Sequence, residues 1–262
     1  MKEILFEAED LTKQFPLRSG FFSSRNWLEA VRGITFTLQA GESVGLVGES
    51  GCGKTTLARL LCRLETPTSG SLRYRGEDLN RLRGGRLLTF RRRVQLIFQD
   101  PMSSLNPLMR IGQIVAEPLV IHRILHGKDL EKRVQNLMSE VGLDPSWTKR
   151  FPHTLSGGQR QRVGIARALS LDPELLICDE PVSSLDLSVQ AQILRLLADL
   201  QDQRKLSLFF ISHNLAVVSA VADRILVMRQ GQIVEEGSNP QLFESPRNPY
   251  TRTLVNLAVK TI

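Results

Sequence analysis

Ile4, Phe6 and Ala8 alternate with Leu5, Glu7 and Glu9, and Ile34-Thr-Phe-Thr-Leu38 repeats the period of two. Residues 1–47 therefore read as β-rich. Between these runs, Phe15 to Asn26 predicts a loop, because Pro16, Gly20 and paired serines break the period. Ser43-Val-Gly-Leu-Val47 has the apolar run of a short buried strand, and it leads straight into a glycine-rich stretch. A helix follows with Leu57, Leu60, Leu61 and Leu64 on one face, and Thr66-Pro67-Thr-Ser-Gly70 is expected to end it. Val94 to Phe98 predicts another strand, ending at Gln99. From Gly112 to Arg150 the period turns helical, with Ile114, Leu119, Ile124, Val134, Leu137, Met138 and Val141 among polar residues. Beyond it come a helix from about Gly158 to Leu171, a strand Leu175–Cys178 and a helix Leu187–Arg204. The stripe of that last helix is Val189, Ile193, Leu196, Leu197 and Leu200. Strands recur at Leu208–Ile211, Ile225–Met228 and Gln232–Glu235. Strands and helices in alternation argue for an α/β core on a mostly parallel sheet.

Composition narrows the class. The chain has 262 residues, 42% of them hydrophobic and 23% charged, which suits a globular protein with a real core and excludes disordered, collagenous and disulfide-stapled classes. Cys52, Cys62 and Cys178 form no CxxC, a pattern that fits a reducing compartment and speaks against zinc or iron–sulfur ligation. The longest uncharged stretch, Leu206 to Ala222, is broken by Ser207, Ser212, His213, Asn214 and Ser219, so no membrane span is expected. The acidic, alternating N-terminus does not resemble a secretory signal. A net charge of +7 leaves two partners open, nucleic acid or an anionic membrane surface.

Three clusters carry chemistry. Gly48, Glu49, Ser50, Gly51, Cys52, Gly53, Lys54 and Thr55 stand consecutively as G-x-x-x-x-G-K-[ST], between a predicted strand and a predicted helix. Glycines let such a loop turn successive N–H groups toward phosphate oxygens, and the helix N-terminus adds its dipole. Lys54 is then placed to bridge the β- and γ-phosphates, Thr55 to offer its hydroxyl to Mg²⁺, and Thr56 to reach the α-phosphate. Second, the apolar run from Leu175 ends in Asp179 and Glu180. Alone it reads as a strand end with solvated acids. Behind a phosphate loop, Asp179 suits Mg²⁺ and Glu180 suits the polarisation of an attacking water. Third, Leu155, Ser156, Gly157, Gly158 and Gln159 place a helix cap before two glycines that would allow close approach to bare backbone N–H groups, a second anion site. One nucleotide needs only one such loop unless two chains share the work.

On these residues the chain resembles the ATP-binding subunits of ABC transporters over nearly its whole length. Gly48–Thr55 resembles Walker A, Asp179-Glu180 the end of Walker B, and Leu155–Gln159 the family signature, which is far more specific than a phosphate loop alone. By the same resemblance, Gln99 is the Q-loop glutamine that contacts Mg²⁺ or the attacking water. Ser183-Ser-Leu-Asp186 is the D-loop, with Asp186 beside the nucleotide, and His213 is the switch histidine on the γ-phosphate. Phe15 is the candidate for stacking on adenine, with Trp27 as the alternative. The implied fold is a P-loop NTPase (RecA-like) α/β core with a mostly parallel sheet, an N-terminal antiparallel β subdomain and a helical subdomain. The expected layout is one ABC ATPase domain over 1–262. Its catalytic core and β subdomain take 1–98 and 160–240, the Q-loop and helical subdomain with the signature take 99–159, and a short tail takes 241–262. The implied cofactors are ATP and Mg²⁺. Two such chains would close head to tail around two ATP molecules, as a paralogous heterodimer or a homodimer. The other implied partners are two membrane permease subunits and an extracytoplasmic solute-binding protein, at the cytoplasmic face of the membrane.

The stretches Ile97 to Pro107, Cys178 to Gln192 and Glu244-Ser-Pro-Arg-Asn-Pro-Tyr-Thr-Arg252 resemble the oligopeptide/dipeptide/nickel importers in particular. The short tail tilts the expectation toward nickel- or metallophore-type subunits or short peptide-type ones. Rival classes fit less well. ABC ATPases of DNA repair place a long coiled coil where this chain has only residues 100–154, and a nucleotide kinase has no use for Leu155–Gln159. An adaptor without catalysis has no use for Glu180 and His213, and a peptide exporter or resistance-type ATPase stays as an alternative. No nucleic-acid partner is expected. Arg81, Arg83, Arg86, Arg91, Arg92 and Arg93 read as a solvated helix face, with lipid headgroups or the membrane partner as the sharper alternative. With Phe90 as the one aromatic inside the cluster, stacking on single strands is thinly supported.

Overall fold

A computed structural model describes residues 3–17, 27–99 and 104–259, and among the described residues the hydrophobic runs become ten strands and the nine α-helices named below. The predicted loop apex at 18–26 and the Asp100–Ser103 part of the Ile97–Pro107 motif lie outside the described residues. In chain order come β1 (Ile4–Pro16), β2 (Trp27–Gln39), β3 (Ser43–Val47), α1 (Lys54–Leu61), β4 (Ser69–Tyr74), β5 (Glu77–Asp78) and α2 (Gly84–Arg93). Then follow β6 (Val94–Ile97), α3 (Ile111–Ile121), α4 (Gly127–Glu140), α5 (Gly157–Leu169), β7 (Leu175–Asp179) and α6 (Leu187–Arg204). The chain closes with β8 (Ser207–Ser212), α7 (Leu215–Ser219), β9 (Arg224–Arg229), β10 (Gln232–Ser238), α8 (Asn239–Glu244) and α9 (Pro249–Val259). Two compact units divide these elements, residues 1–88 with 207–262, and residues 89–206.

In the first unit the N-terminal runs form an antiparallel sheet in the order β2-β1-β4-β5. Phe6 and Ala8 of β1 and Ile34, Phe36 and Leu38 of β2 are buried, as the period of two predicts, and a register shift after Ala8 turns Leu11 inward out of that phase. Ile4 departs from it. A register shift between Ile4 and Phe6 turns Leu5 inward beside Phe6 and leaves Ile4 48% exposed. Phe15 also departs, since β1 continues through Pro16 and pairs Phe15 with Leu28 before the chain leaves the sheet. The same unit holds β3 between β8 and β9, parallel to both, with β10 antiparallel on β9. All five residues of β3 are buried, as expected for a strand covered on both faces. A Cβ on Gly45 would lie 2.1 Å from the Val218 side chain, so glycine is what lets α7 lie directly on β3.

Helix α1 is shorter than its leucine pattern predicts. Arg63 takes φ +55°, its N–H reaches the Leu60 carbonyl at 3.0 Å, and the Leu64 N–H reaches the Arg59 carbonyl at 2.9 Å. This is a Schellman stop with arginine where glycine is usual, and it leaves Leu64 outside the helix and 54% exposed.

In the second unit β6 and β7 pair in parallel, and α3, α4 and α5 bury facing apolar rows. Strand β6 ends at Ile97, one residue before the predicted Phe98, which is exposed. Helix α6 spans the predicted residues, and its buried stripe is Ile193, Leu194, Leu197 and Leu200. Its last residue, Arg204, donates to both Glu140 carboxylate oxygens (2.6 Å for the Nη2 contact) and to Asp172 at 2.8 Å. Asp172 also takes Arg133 at 2.6 Å. The parallel pairings, the antiparallel N-terminal sheet and the helical insert bear out the α/β class. Among the described residues, no helix is long and apolar enough to cross a membrane.

Candidate functional site

The loop from Gly48 to Thr55 leaves β3 and enters α1. Gly51 and Gly53 have φ of +79° and +112°, a region closed to most side chains. A Cβ on Gly48 would lie 2.1 Å from the Met228 carbonyl oxygen, and one on Gly53 would lie 2.0 Å from that of Ala30, so neighbouring backbone leaves no room for either. The Gly231 N–H donates to the Cys52 carbonyl at 2.9 Å, which ties the loop to the β9–β10 turn. Lys54 is only 4% exposed, and its Nζ donates to the carbonyls of Gly48 at 2.7 Å and Glu49 at 2.9 Å. The ammonium is thus folded back over the loop. Helix α1 has no side-chain cap on its first N–H groups and no acidic residue in its first turn. That end is electropositive and fits an anion such as a phosphate. Glu49, Ser50, Gly51 and Thr55 are exposed at this end, and Thr56 is half-buried. Burial pushes the Cys52 thiol above its usual range, so it is neutral near pH 7.

In the second unit, β7 is buried throughout and delivers Asp179, 6% exposed, to its end. Glu180 follows at φ +47°, a left-handed conformation that costs a non-glycine residue energy and that clusters at functional sites. The Gln99 side-chain amide donates to the Glu180 carboxylate at 3.3 Å. Two residues 81 positions apart, both singled out from the sequence, therefore meet. The Ser183 hydroxyl holds the Glu180 carbonyl at 3.1 Å. Cys178 is inert, because complete burial pushes its thiol up to about 12.

Ser156 caps α5 as predicted, accepting the Gln159 N–H at 3.3 Å, while the Gln159 side chain accepts the Ser156 N–H at 3.0 Å. This reciprocal capping box is written in the sequence as S-x-x-Q. The glycines have a packing role that no sequence signal marks. A Cβ on Gly158 would lie 2.3 Å from Val189 of α6, and one on Gly157 would lie 3.2 Å from Leu185. Asp186 caps α6, accepting the Ser188 hydroxyl at 2.7 Å and the Val189 N–H at 3.0 Å. These two bonds, the Ser188 one first, hold its carboxyl below the usual range.

His213 is exposed directly after β8, and Asn214 caps α7. Phe15 is half-buried with the Lys13 ammonium 4.9 Å from its ring centre, while Trp27 is 52% exposed opposite Pro16. Thr55 in the first unit offers a hydroxyl, and Gln99 and Asp179 in the second offer an amide oxygen and a carboxylate, each a hard oxygen donor of the kind Mg²⁺ prefers. One contact joins this loop to a residue given no role from the sequence. The Tyr250 hydroxyl accepts the Glu49 N–H at 2.9 Å. Its signal is the Asn248-Pro-Tyr250 stretch of the tail, whose partner lies at the other end of the chain.

Comparison with known proteins bears on the family and the fold. Residues 31–183 match the family described as ABC transporter. The dipeptide transport ATP-binding protein DppF of Escherichia coli is 45% identical over 256 residues, covering 98% of this chain and 77% of that protein. The oligopeptide transport ATP-binding protein OppF of Salmonella typhimurium is 47% identical over 259 residues, covering 97% of this chain and 78% of its own length. Among solved structures, a dimeric ATP-binding cassette in a post-hydrolysis state with ADP and Pi bound superposes with a TM-score of 0.79 at 26% identity. It covers 90% of this chain and 99% of that one.

Proposed function

The chain belongs to the ABC transporter family, and from that premise we propose that it is the ATP-hydrolysing subunit of an importer that takes up peptides. The observation that carries the ATPase reading is the loop at Gly48–Thr55. It presents an uncapped helix end and a buried Lys54 whose Nζ is held by loop carbonyls, ready to exchange them for phosphate oxygens. The dipeptide and oligopeptide transport relatives support the cargo class. That weight displaces the nickel or metallophore expectation to an alternative the transport assay decides.

In this reading residues 1–262 form one ATPase domain, and each residue acts locally. Gly48, Ser50, Gly51, Cys52, Gly53, Lys54, Thr55 and Thr56 receive the phosphates through backbone N–H groups, the Lys54 ammonium and hydroxyls, while Glu49, whose N–H is taken by Tyr250, shapes the loop around them. Thr55, Gln99 and Asp179 would hold Mg²⁺, which would supply charge neutralisation on the phosphates. Glu180 takes the proton of the attacking water, and the Gln99 amide fixes its carboxylate orientation. His213 orients the γ-phosphate, and Phe15 stacks on adenine. The cap at Ser156, with Gly157, Gly158 and Gln159, serves the nucleotide of a second ATPase subunit, and Asp186 stands at the same interface. ATP then supplies contacts between two subunits and hydrolysis removes them, which biases a two-state switch. The remaining partners are two permease subunits and a solute-binding protein, with this chain peripheral at the cytoplasmic face.

The test is to purify the chain, measure Mg²⁺-dependent phosphate release, and then assay uptake with its permease partners across peptides and nickel chelates. Lys54→Ala is expected to lower ATP affinity at least about 10-fold, through loss of a charge-assisted contact to phosphate. Unchanged affinity in that variant, or wild-type protein without ATPase activity, would overturn the reading. Uptake of nickel chelates without peptides would overturn the cargo assignment alone.

A further inference from the structure

We propose that Tyr250, in the C-terminal tail, is a positioning residue for the phosphate loop, so that docking of the tail sets the affinity for nucleotide.

The Glu49 N–H is committed to the Tyr250 hydroxyl at 2.9 Å and so is not among the donors turned toward an anion. The bond fixes the Gly48–Glu49 peptide unit. The carbonyls on either side of that N–H, those of Gly48 and Glu49, are the two that hold the Lys54 Nζ. One hydroxyl from the tail therefore sets the plane of the Gly48 carbonyl, one of the two from which the lysine hangs. Glycine at 48 leaves the loop entrance without a side chain of its own to hold it, and the Met228 carbonyl and the Cys52 sulfur crowd the position a Cβ would take.

The tyrosine is itself held from three directions. Its ring is nearly buried, with the Arg229 guanidinium 4.9 Å from its centre. Its N–H donates to the Asn248 side-chain oxygen at 2.9 Å, which starts α9. The Glu235 carboxylate of β10 accepts the N–H groups of Arg247 at 2.8 Å and Asn248 at 2.9 Å, fastening the segment before the helix. Arg229 and Glu235 flank the β9–β10 turn, whose Gly231 N–H holds the Cys52 carbonyl. The phosphate loop is thus braced at Glu49 by the tail and at Cys52 by the turn on which the tail is fastened. A loop held in advance in its binding shape loses less entropy when it closes on an anion.

The inference rests on the nucleotide reading of Gly48–Thr55, and ATP binding by the wild-type chain tests that reading separately. The inference itself is tested by comparing the variant with the wild type. Tyr250→Phe keeps the ring and the arginine contact and removes only the acceptor. Its ATP and ADP dissociation constants are expected to rise about three- to ten-fold, the range for one lost neutral hydrogen bond. kcat at saturating ATP should stay within about two-fold. Amide exchange at Glu49 should quicken relative to the wild type. Glu235→Gln, which weakens the fastening without touching the loop, should shift affinity in the same direction. A Tyr250→Phe protein with lowered thermal stability but wild-type nucleotide affinity would make the contact purely structural and overturn the proposal. So would unchanged Glu49 exchange, or a fall in kcat at unchanged affinity.

Discussion

At residue 158 the demand comes from the helix next door. A Cβ there would lie 2.3 Å from the Val189 side chain, which leaves no room even for alanine. Gly158→Ala is expected to cost about 1–3 kcal/mol by overpacking, seen as a thermal midpoint lowered by several degrees. Gly164, six residues along α5, meets nothing within 4 Å and has an ordinary helical φ. Gly164→Ala should therefore gain about 0.5–1 kcal/mol from helix propensity alone. If both substitutions move the midpoint in the same direction, the packing account of the signature glycines fails. At this scale the phosphate loop was legible because its chemistry sits in eight consecutive residues, and Ser156 was legible as a cap. Tyr250 was not, because its partner lies 201 positions away and no local period encodes the meeting. Neither was the role of Gly158, which depends on a neighbour in another helix.

Helices and strands followed their hydrophobic periods wherever the stop signal was chemical. Helix α6 has the predicted limits because Asp186 caps it and Lys205, in the left-handed region, ends it. Helix α1 falls short of its leucine pattern because Arg63, a residue with no turn signature, takes the position usually given to glycine. The Asp186 cap makes α6 sensitive to acid. The folded carboxyl titrates below its unfolded value, so its contribution is complete above the unfolded value of about 4 and is lost as pH falls through the folded one. The thermal midpoint of Asp186→Ala should lie below that of the wild type at pH 7, and the gap should close as pH drops below about 4. A gap that stays constant with pH would remove the ionised cap from the account. Arg204 ties the ends of α4 and α6 through Glu140, a doubly bonded and mostly buried pair. Arg204→Ala should cost about 2–4 kcal/mol, since Glu140 is left without its cation. Arg204→Lys should recover only part of the loss, because it cannot form both bonds at once.

For the molecule as a whole, the charge that first suggested nucleic acid is partly spent inside the chain. Within the arginine cluster, Arg81 faces Asp78 at 3.5 Å, Arg86 faces Glu77 at 4.0 Å and Arg93 faces Glu174 at 3.5 Å, all of them exposed pairs worth little stability. Class and family were legible because the three motifs fall in the right order on the right elements. The cargo was not, since the motifs that could be read carry nucleotide chemistry alone. The central claim is that Glu180, at the end of β7 and held by Gln99, performs hydrolysis at a site that binds ATP without it. The most direct measurement is ATP binding and steady-state turnover of Glu180→Gln beside the wild type. The account predicts ATP affinity within about three-fold of wild type and turnover reduced at least about 100-fold, as removal of a general base requires. Wild-type turnover in Glu180→Gln would contradict it.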